Sequence, residues 1–355
     1  MKSYLRENHR SLPAYVPGTH EEGNDVIRLN TNESPFPPSA SVLEAIAAES
    51  TRLNFYNDPD CTDLIQALSR KEGVEPENLV VGNGSDQVLQ LAFLAFAGPD
   101  CPIVLPDITY SYYDLFAALY EIPLRRIPLR EDFRICPADY NRAGGMIVFP
   151  NPNAPTGLAL TRAEIAGILE ANPDHVVLVD EAYVDFGAET VVPLIRTFPN
   201  LLVVRTFSKS GSLAGIRLGY GMGSPELIAD LARIRNAVDL YGVNRLAQAA
   251  GAAACRDWSY YEQNCRRIMN SRTYTTEALG RLGFTVLPSQ GNFIFARPAA
   301  VSAAFVREKL SERGILVRHF RGGRTEDWLR ITIGTDAEMQ QLVDACRDLV
   351  TSGKE

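Results

Sequence analysis

The sequence predicts an α/β protein in which a mainly parallel sheet lies between helices and a smaller α+β domain follows at the C-terminus. Two observations predict this fold. Between residues 36 and 240, short apolar runs alternate with helical patterns, as in strands joined by crossover helices. After Asp230, a long helical stretch gives way to short strands mixed with helices. The chain has 355 residues, which is enough for two such domains.

The N-terminal segment, residues 1–35, is rich in proline and polar residues. It is predicted to be an extended arm that packs with the small domain, because prolines disfavour a helix. Residues 36–240 are assigned to the large domain, and residues 241–355 to the small domain.

The predicted strands of the large domain are apolar runs that each end in polar or turn-forming residues. They are residues 79–81, 103–105, 146–149, 176–179 and 201–204. Thr161 and Glu164 predict a capping box for the helix between the third and fourth of these strands. A long helical stretch over 225–280 is interrupted at Gly242 and Asn244. In the small domain, strands are predicted near 285–287, 293–295, 316–318 and 329–332, and helices near 301–313 and 336–351.

The composition argues against several classes of protein. The chain is 46% hydrophobic and 22% charged, which is ordinary for a globular protein. Its net charge of −8 argues against nonspecific binding to nucleic acid or to an anionic membrane. The six cysteines lack the paired spacing of metal ligands, so we expect reduced thiols, no metal site and a cytoplasmic location. The sequence shows neither a signal peptide nor an apolar run that could span a bilayer.

The first candidate site is the turn Gly82-Asn83-Gly84-Ser85-Asp86, between a predicted strand and a predicted helix. Its glycines let the backbone approach a ligand, and the free N–H groups at the helix start favour a phosphate. A tight turn without a ligand is the alternative. Gln87 stands where a dinucleotide fingerprint has its third glycine, which argues against a nicotinamide-dependent oxidoreductase.

Two further strand ends carry side chains that suit a flat heterocycle. Tyr110 follows Pro106 and could stack on a ring, although packing against a helix is the more common use of tyrosine. The loop 151–157 has two prolines and a glycine that restrict its shape, and its asparagines can donate hydrogen bonds. Because ligands of open parallel sheets bind beyond the carboxyl ends of the strands, we expect both segments near one crevice.

The last two strand ends carry an acid and an amine. Asp180 follows a buried strand, where a carboxylate needs a partner that an arginine, a following cap or a pyridinium nitrogen could supply. Lys209 follows the next strand and could form an imine with an aldehyde cofactor. A solvated surface lysine is the alternative. Ser208 and Arg217 could bind a phosphate on the same cofactor.

Together these residues resemble the fold-type I, pyridoxal-5′-phosphate-dependent aminotransferases, and among them the histidinol-phosphate aminotransferase family. The resemblance covers nearly the whole chain and rests on a set of short motifs. They are Tyr15-Val16-Pro17-Gly18, Leu29-Asn30-Thr31-Asn32-Glu33-Ser34-Pro35, Tyr56 before Asp58-Pro59, the turn at Gly82, Asp180-Glu181-Ala182-Tyr183, Ser208-Lys209, Leu213-Ala214-Gly215-Ile216-Arg217 and Leu329-Arg330-Ile331-Thr332-Ile333-Gly334-Thr335. The resemblance implies pyridoxal 5′-phosphate as cofactor and transamination between histidinol phosphate and 2-oxoglutarate, in histidine biosynthesis.

The resemblance also implies roles for residues near the cofactor. Lys209 corresponds to the Schiff-base lysine, which also moves the Cα proton. Asp180 corresponds to the partner of the pyridine nitrogen, and Tyr183 to the ligand of the phenolic oxygen. The remaining cofactor-binding positions that it implies are Gly84, Ser85, Asp86, Tyr110, Asn153, Thr206, Ser208 and Arg217.

The substrates are small molecules with anionic groups, and the resemblance implies basic residues that bind them. Arg330 corresponds to the arginine that binds the α-carboxylate of glutamate. Arg321, Arg324 and His319 are candidates for a basic wall near Arg330, with a solvated loop as the alternative.

The N-terminal arm and a second subunit are expected to complete the site. Asn32 and Tyr15 correspond to arm residues near the substrate. Tyr56 corresponds to a residue that reaches the cofactor phosphate of the neighbouring subunit, which implies a homodimer with shared active sites.

Two positions depart from the family pattern. Ala154 stands where the family usually has asparagine before Pro-Thr-Gly, as a donor to the phenolic oxygen. Either Asn153 compensates through a shifted loop, or Tyr183 carries more of the interaction. Gln87 replaces a more common acidic residue.

Other functions remain as alternatives at this stage. An aromatic amino acid aminotransferase or a threonine-phosphate decarboxylase would share the cofactor residues. A non-catalytic regulator that binds pyridoxal phosphate is disfavoured, because Lys209, Asp180, Tyr183 and Arg217 are all present.

Overall fold

Two β-sheets surrounded by helices make up the part of the chain that this computed structural model describes, residues 4–10, 12 and 26–352. The strands are β1 Ile27–Leu29, β2 Leu79–Gly82, β3 Ile103–Pro106, β4 Leu124–Ile127, β5 Met146–Pro150, β6 Val177–Asp180, β7 Leu201–Thr206, β8 Gly219–Met222, β9 Phe284–Val286, β10 Phe293–Pro298, β11 Ile315–His319 and β12 Leu329–Thr332. The helices are α1 Ala40–Ser50, α2 Thr62–Glu72, α3 Ser85–Phe96, α4 Tyr112–Leu119, α5 Arg162–Glu170, α6 Pro225–Val238, α7 Arg245–Arg256, α8 Trp258–Arg281, α9 Ala303–Glu312 and α10 Asp336–Ser352. Across these described residues, no helix combines the length and the apolar character that crossing a bilayer requires.

The larger sheet has seven strands in the order β2-β8-β7-β6-β5-β3-β4. Neighbouring strands from β7 to β4 pair in parallel, and β8 runs antiparallel to both β2 and β7. The predicted α/β class with a mainly parallel sheet is therefore confirmed.

Strands β4 and β8 of this sheet were not predicted from the sequence, and each omission has a local reason. The central residues of β4 are the exposed pair Arg125 and Arg126, so β4 lacks an apolar run. Strand β8 alternates glycine with larger residues, which is a weak strand signal. The structure explains Gly219, because a Cβ atom there would lie 2.2 Å from the backbone nitrogen of Ser85. Glycine thus lets the start of α3 approach β8 closely.

Both faces of the larger sheet are covered, which accounts for the continuous apolar runs of its strands. In β6, Val177 and Val179 join one core with α2, α5 and α7, and Leu178 joins a second core with α3, α4 and α6. The polar residues therefore concentrate at the strand ends.

The smaller sheet has the order β1-β11-β12-β10-β9, and only β1 pairs in parallel. Strand β1 belongs to the segment predicted as the N-terminal arm, so the end of that segment lies in the small sheet. A short 3₁₀ turn, Glu7–His9, is also described. Tyr15 lies outside the described residues.

The packing of α7 and α8 places the change between the two cores later in the chain than the predicted domain boundary at residue 240. Helix α7 packs its alanines, such as Ala247 and Ala250, into the core of the large sheet, as does Tyr261 at the start of α8. Further along α8, Ile268 and Leu279 pack into the core of the small domain. The change from one core to the other thus occurs inside α8.

The helical stretch predicted over 225–280 is three helices. Asn244, predicted as an interruption, caps α7, because its side-chain oxygen accepts a hydrogen bond from the N–H of Ala247 at 3.0 Å. The predicted capping box of Thr161 and Glu164 is confirmed at the start of α5.

A buried ion cluster connects α2 with the ends of β6 and β7. The guanidinium of Arg205 donates to Glu181 at 2.8 Å and to Glu72 at 2.9 Å, and all three side chains are almost completely buried. Glu72 also accepts a hydrogen bond from Tyr220 at 2.6 Å. Glu181 directly follows Asp180, so this cluster fixes the chain next to the strand end that carries the acid.

Replacing Arg205 with methionine is expected to lower the free energy of unfolding by about 3–5 kcal/mol, because the buried Glu181 loses its cation and the buried Glu72 keeps only that of Lys71. The exposed pair Arg313–Asp348, 2.9 Å apart, supplies the control, and Arg313→Met is expected to cost about 1 kcal/mol or less. Denaturant unfolding of both variants measures the difference. Equal losses would contradict the importance of the buried cluster.

Candidate active site

A cleft of about 1040 Å³ lies beyond the carboxyl ends of the large-sheet strands and is closed on its other side by the small domain. Most of the residues predicted for the site line it. These are Ser85, Asp86, Tyr110, Asp180, Tyr183, Thr206, Ser208, Lys209, Arg217, Arg324 and Arg330. The convergence follows from the topology, since β6 and β7 are parallel neighbours and both end at this edge.

Asp180 is a buried carboxylate at the end of β6. Its Oδ2 accepts a hydrogen bond from the hydroxyl of Tyr113 at 2.9 Å, and its Oδ1 accepts from the N–H of Ala182 at 3.0 Å. Among the described residues, no cation forms an ion pair with it. Burial raises the pKa of Asp180 to about 6, although both hydrogen bonds oppose that shift. Asp180 therefore presents the cleft with a charge that a cationic ligand could neutralise.

Lys209 is the amine of the cleft. Its Nζ donates to the carbonyl oxygen of Thr31 at 3.0 Å and lies 5.9 Å from the ring centre of Tyr183. Burial, helped by the positive charges of Arg330 and Arg217, lowers the pKa of Lys209 to about 8. Roughly a tenth of this amine is therefore neutral and nucleophilic at pH 7, far more than of an ordinary lysine.

Tyr183 is fixed by residues of the N-terminal segment and of the small domain. Its hydroxyl accepts a hydrogen bond from Asn32 at 3.0 Å, and its ring packs edge-on against Phe293 at 5.0 Å. Asn32 has a positive φ of 56°, and its backbone N–H and side-chain oxygen both bond the hydroxyl of Thr332. Asn32 was predicted near the substrate. The structure places it behind Tyr183, where it orients that side chain and does not line the cleft itself.

The turn before α3 and the segment after β7 form a cup that suits a phosphate. The first N–H groups of α3, from Ser85 and Asp86, have no partner within the helix. Gly84 has a φ of 84°, and a Cβ there would lie 2.9 Å from the guanidinium of Arg217, so glycine makes room for that cation. Arg217 pairs with the Asp86 carboxylate at 2.9 Å. On the other side of the cup, Ser208 accepts a hydrogen bond from Thr206 at 3.0 Å.

Tyr110 lies at the wall of the cleft. Its hydroxyl donates to Asp86 at 3.3 Å, and its ring is perpendicular to that of Tyr113, with the ring centres 5.4 Å apart. The position and partners of this ring suit stacking on a flat ligand.

Asn153 does not line the cleft of the ligand-free chain. Its amide donates to the carbonyl of Ile108 at 3.0 Å, and its oxygen accepts from Thr109 at 3.1 Å, so the buried side chain is used within the loops. Ala154 and Pro155 line the cleft instead. A direct cofactor contact by Asn153 stays a prediction, and the hydrogen-bonding groups of its side chain are directed at the loop after β3.

The basic wall of the cleft also differs from the prediction. Arg330 lines it, but Arg321 is exposed and His319 does not belong to the lining. Arg318 lines the cleft instead. It lies directly opposite Arg330 on the neighbouring antiparallel strand, so both side chains are on the same face of the sheet. Arg324 reaches across to the large domain, where it donates to the carbonyl oxygens of Leu129 and Arg130.

Tyr56 does not line the cleft of its own chain. It is 81% exposed and stacks on Tyr241, with the ring centres 4.7 Å apart. Leu53, Phe55 and Leu240 are also exposed nearby in sequence. The stack of Tyr56 and Tyr241 thus presents exposed aromatic surface outside the cleft.

Three residues of the site were not assigned a role from the sequence. Tyr113 bonds Asp180, Arg318 extends the basic wall, and Arg126 of β4 lines the cleft while paired with Asp114 at 2.9 Å. Only for Arg318 did the sequence hold a usable signal. Like Arg330, it is a single arginine that follows apolar residues in a predicted strand.

Comparisons with known proteins agree with this geometry. The family model described as aminotransferase class I and II matches residues 24–346. The histidinol-phosphate aminotransferase of Acetobacter pasteurianus is 48% identical over 345 residues, which cover 97% of each chain. Histidinol-phosphate aminotransferase 1 of Bordetella parapertussis is 49% identical over 346 residues, covering 96% of this chain and 97% of the relative. The crystal structure of the Sinorhizobium meliloti histidinol-phosphate aminotransferase in complex with pyridoxal-5′-phosphate superposes with a TM-score of 0.89, at 27% identity and 99% coverage of both chains.

The lowered pKa of Lys209 predicts unusual chemical reactivity in the ligand-free protein. Acetylation of Lys209 by acetic anhydride is expected to increase with pH around a midpoint near 8, because only the neutral amine reacts. The exposed Lys309, which Glu312 holds in its charged form, is the internal control and should keep gaining reactivity at higher pH. Peptide mass spectrometry measures both sites. A midpoint for Lys209 as high as that for Lys309 would contradict the electrostatic description of the cleft.

Proposed function

The chain belongs to the class I and II aminotransferases, and we propose that it binds pyridoxal 5′-phosphate and transfers an amino group between histidinol phosphate and 2-oxoglutarate. The products are imidazole acetol phosphate and glutamate, and the exchange serves histidine biosynthesis. The single observation that carries the proposal is that Lys209 and Asp180, at the ends of adjacent parallel strands, line the same cleft.

The residues present fit this cofactor. Asp180 is a buried acid with no cation paired to it in the described chain, which suits a pyridinium nitrogen. The cup of Ser85, Asp86 and Arg217 suits a phosphate. Lys209 supplies an amine that is easily deprotonated. When bound, pyridoxal phosphate supplies an aldehyde that bonds to amines and a ring that accepts the electron pair released at the substrate Cα.

Lys209 is proposed to have two tasks. Its Nζ would hold the cofactor through the aldehyde, and as a free, neutral amine it would take the proton from the substrate Cα and deliver a proton back. Its lowered pKa serves both tasks, because each requires an uncharged amine.

Asp180 and Tyr183 are proposed to set the charge of the ring. The ionised carboxylate of Asp180 would keep the ring nitrogen protonated, and the Tyr183 hydroxyl would bond the phenolic oxygen. With Ala154 in place of an asparagine donor, Tyr183 and its partner Asn32 carry more of that contact.

The small domain is proposed to bind the anionic ends of the substrates. Arg330 and Arg318 stand side by side on β12 and β11. An α-carboxylate needs one bidentate arginine, whereas a phosphate dianion has oxygens for two. Histidinol phosphate carries its phosphate on the carbon that replaces the carboxyl carbon of an amino acid, so the same pair can serve both substrates.

The active unit is proposed to be a homodimer, which the exposed stack of Tyr56 and Tyr241 supports, because such exposed aromatic residues often mark an interface. Tyr56 would reach the cofactor phosphate of the other subunit. We also propose a cytoplasmic location, which the six free cysteines support.

Mixing pyridoxal-loaded protein with histidinol phosphate alone is expected to convert the absorbance of the bound cofactor in a single half-reaction. Lys209→Ala should lose this conversion and the overall turnover, because the proton-carrying amine is gone. Lys309→Ala, a change of an exposed lysine, is the matched control. Turnover by Lys209→Ala comparable to wild type would overturn the proposal.

Replacing Arg318 with glutamine is expected to lower kcat/KM for histidinol phosphate on the order of tenfold relative to phenylalanine, since one charge-assisted contact to the phosphate is lost. Arg321→Gln, which changes an exposed arginine outside the cleft lining, should leave the ratio unchanged. Steady-state assays with histidinol phosphate, phenylalanine and threonine phosphate measure it. A wild-type preference for phenylalanine or threonine phosphate would favour the alternative activities.

Shared active sites predict complementation between two inactive variants. Hybrids of Lys209→Ala and Tyr56→Ala subunits contain one intact site, built from Lys209 of one chain and Tyr56 of the other. After random exchange, activity should recover to about a quarter of the wild-type value. If Tyr56 served its own chain, no hybrid site would be intact and activity would stay at the level of the separate variants.

A further inference from the structure

Tyr113 stands out among the buried tyrosines because its hydroxyl donates to the acid of the cleft. Its side chain is completely buried in the core of the large domain, and its hydroxyl lies 2.9 Å from Oδ2 of Asp180. Tyr113 is the second residue of α4, so the helix backbone holds its ring in place. Nothing in the sequence distinguishes it from a tyrosine used for packing.

The surroundings of Asp180 make this hydroxyl important. The carboxylates of Asp86 and Glu181 both disfavour a negative charge on Asp180, as does burial. Within the described part of the chain, two donors oppose them, the hydroxyl of Tyr113 and the N–H of Ala182. The two donors take one carboxylate oxygen each, which also fixes the plane of the group.

Tyr113 also contacts Tyr110, which lines the same cleft. Its ring packs edge-on against Tyr110, with the ring centres 5.4 Å apart. One side chain thus contacts both the residue proposed to stack on the cofactor ring and the residue proposed to bind the ring nitrogen.

We propose that Tyr113 is a positioning residue that keeps the carboxylate of Asp180 ionised and directed at the cofactor's ring nitrogen. The proposal rests on the proposed binding of pyridoxal phosphate. A hydrogen bond to a carboxylate is stronger than one to a neutral carboxyl group, so the Tyr113 hydroxyl favours the charged form of Asp180, which is the form that attracts a pyridinium.

The test compares two cofactors in variants that lose a single hydroxyl. Tyr113→Phe keeps the ring and its packing. Tyr140→Phe is the matched control, because Tyr140 is equally buried and its hydroxyl has no hydrogen-bond partner among the described residues. The ligands are pyridoxal 5′-phosphate and its 1-deaza analogue, which has carbon in place of the ring nitrogen. Equilibrium dissociation constants are measured by tryptophan fluorescence, with a thermal melt to verify folding.

Tyr113→Phe is expected to weaken pyridoxal phosphate binding on the order of tenfold and to leave binding of the deaza analogue unchanged. Tyr140→Phe should alter neither. An equal loss for both ligands would overturn the proposal by assigning Tyr113 a packing role, and so would no loss for either.

Asp180→Asn provides the second variant, in case Tyr113→Phe fails to fold. It should show the same selective loss, and adding Tyr113→Phe to it should cost no further affinity, because the charge that Tyr113 supports is gone. A further selective loss in the double variant would overturn the proposal. If the wild-type protein binds neither ligand, the proposed function itself fails. If the wild type binds both ligands and the Tyr113→Phe variant binds them equally well, only the proposal for Tyr113 fails.

Discussion

A buried carboxylate without a cation is the constraint on which the rest of the site depends. Asp180 is held by a hydroxyl and a backbone N–H, and burial raises its pKa to about 6, so at neutral pH the protein carries a charge that its own described residues do not neutralise. Such a charge is costly unless a ligand supplies the opposite one. The amine of Lys209 has the complementary property, because its pKa is lowered towards neutrality in the same cleft. An acid that needs a cation and an amine that readily loses its proton together suit an aldehyde cofactor with a basic ring nitrogen.

The fold explains how these two groups meet and how the substrate reaches them. Parallel pairing of β6 and β7 brings both strand ends to one edge. The segment around Asn32 then connects the domains, since Lys209 bonds Thr31, Tyr183 bonds Asn32, and Asn32 bonds Thr332 of the small sheet. These bonds link the amine and the tyrosine to the small domain, which also carries Arg330 and Arg318.

The sequence predicted the groups whose position follows from strand order and failed for those fixed by tertiary packing. Lys209, Asp180 and Ser85 could be found because uninterrupted apolar runs mark the strands, and parallel strands end at the same edge. Tyr113 could not, because its partner lies 67 residues away and an aromatic residue in a helix normally indicates packing. Arg321 was predicted for the basic wall instead of Arg318, because the register of β11 against β12 decides which arginine faces the cleft. The use of the Asn153 amide within its loop could not be read from the sequence either, because its partners belong to another loop.

The most direct test of the central claim is to reduce the pyridoxal-loaded protein with borohydride and map the modified peptide by mass spectrometry. Reduction turns a bond between an amine and the aldehyde carbon into a stable secondary amine, so it records which nitrogen was attached. The structure predicts one phosphopyridoxyl group per chain, on Nζ of Lys209. Modification of another lysine instead, or no modification of a protein that still turns over, would contradict the account.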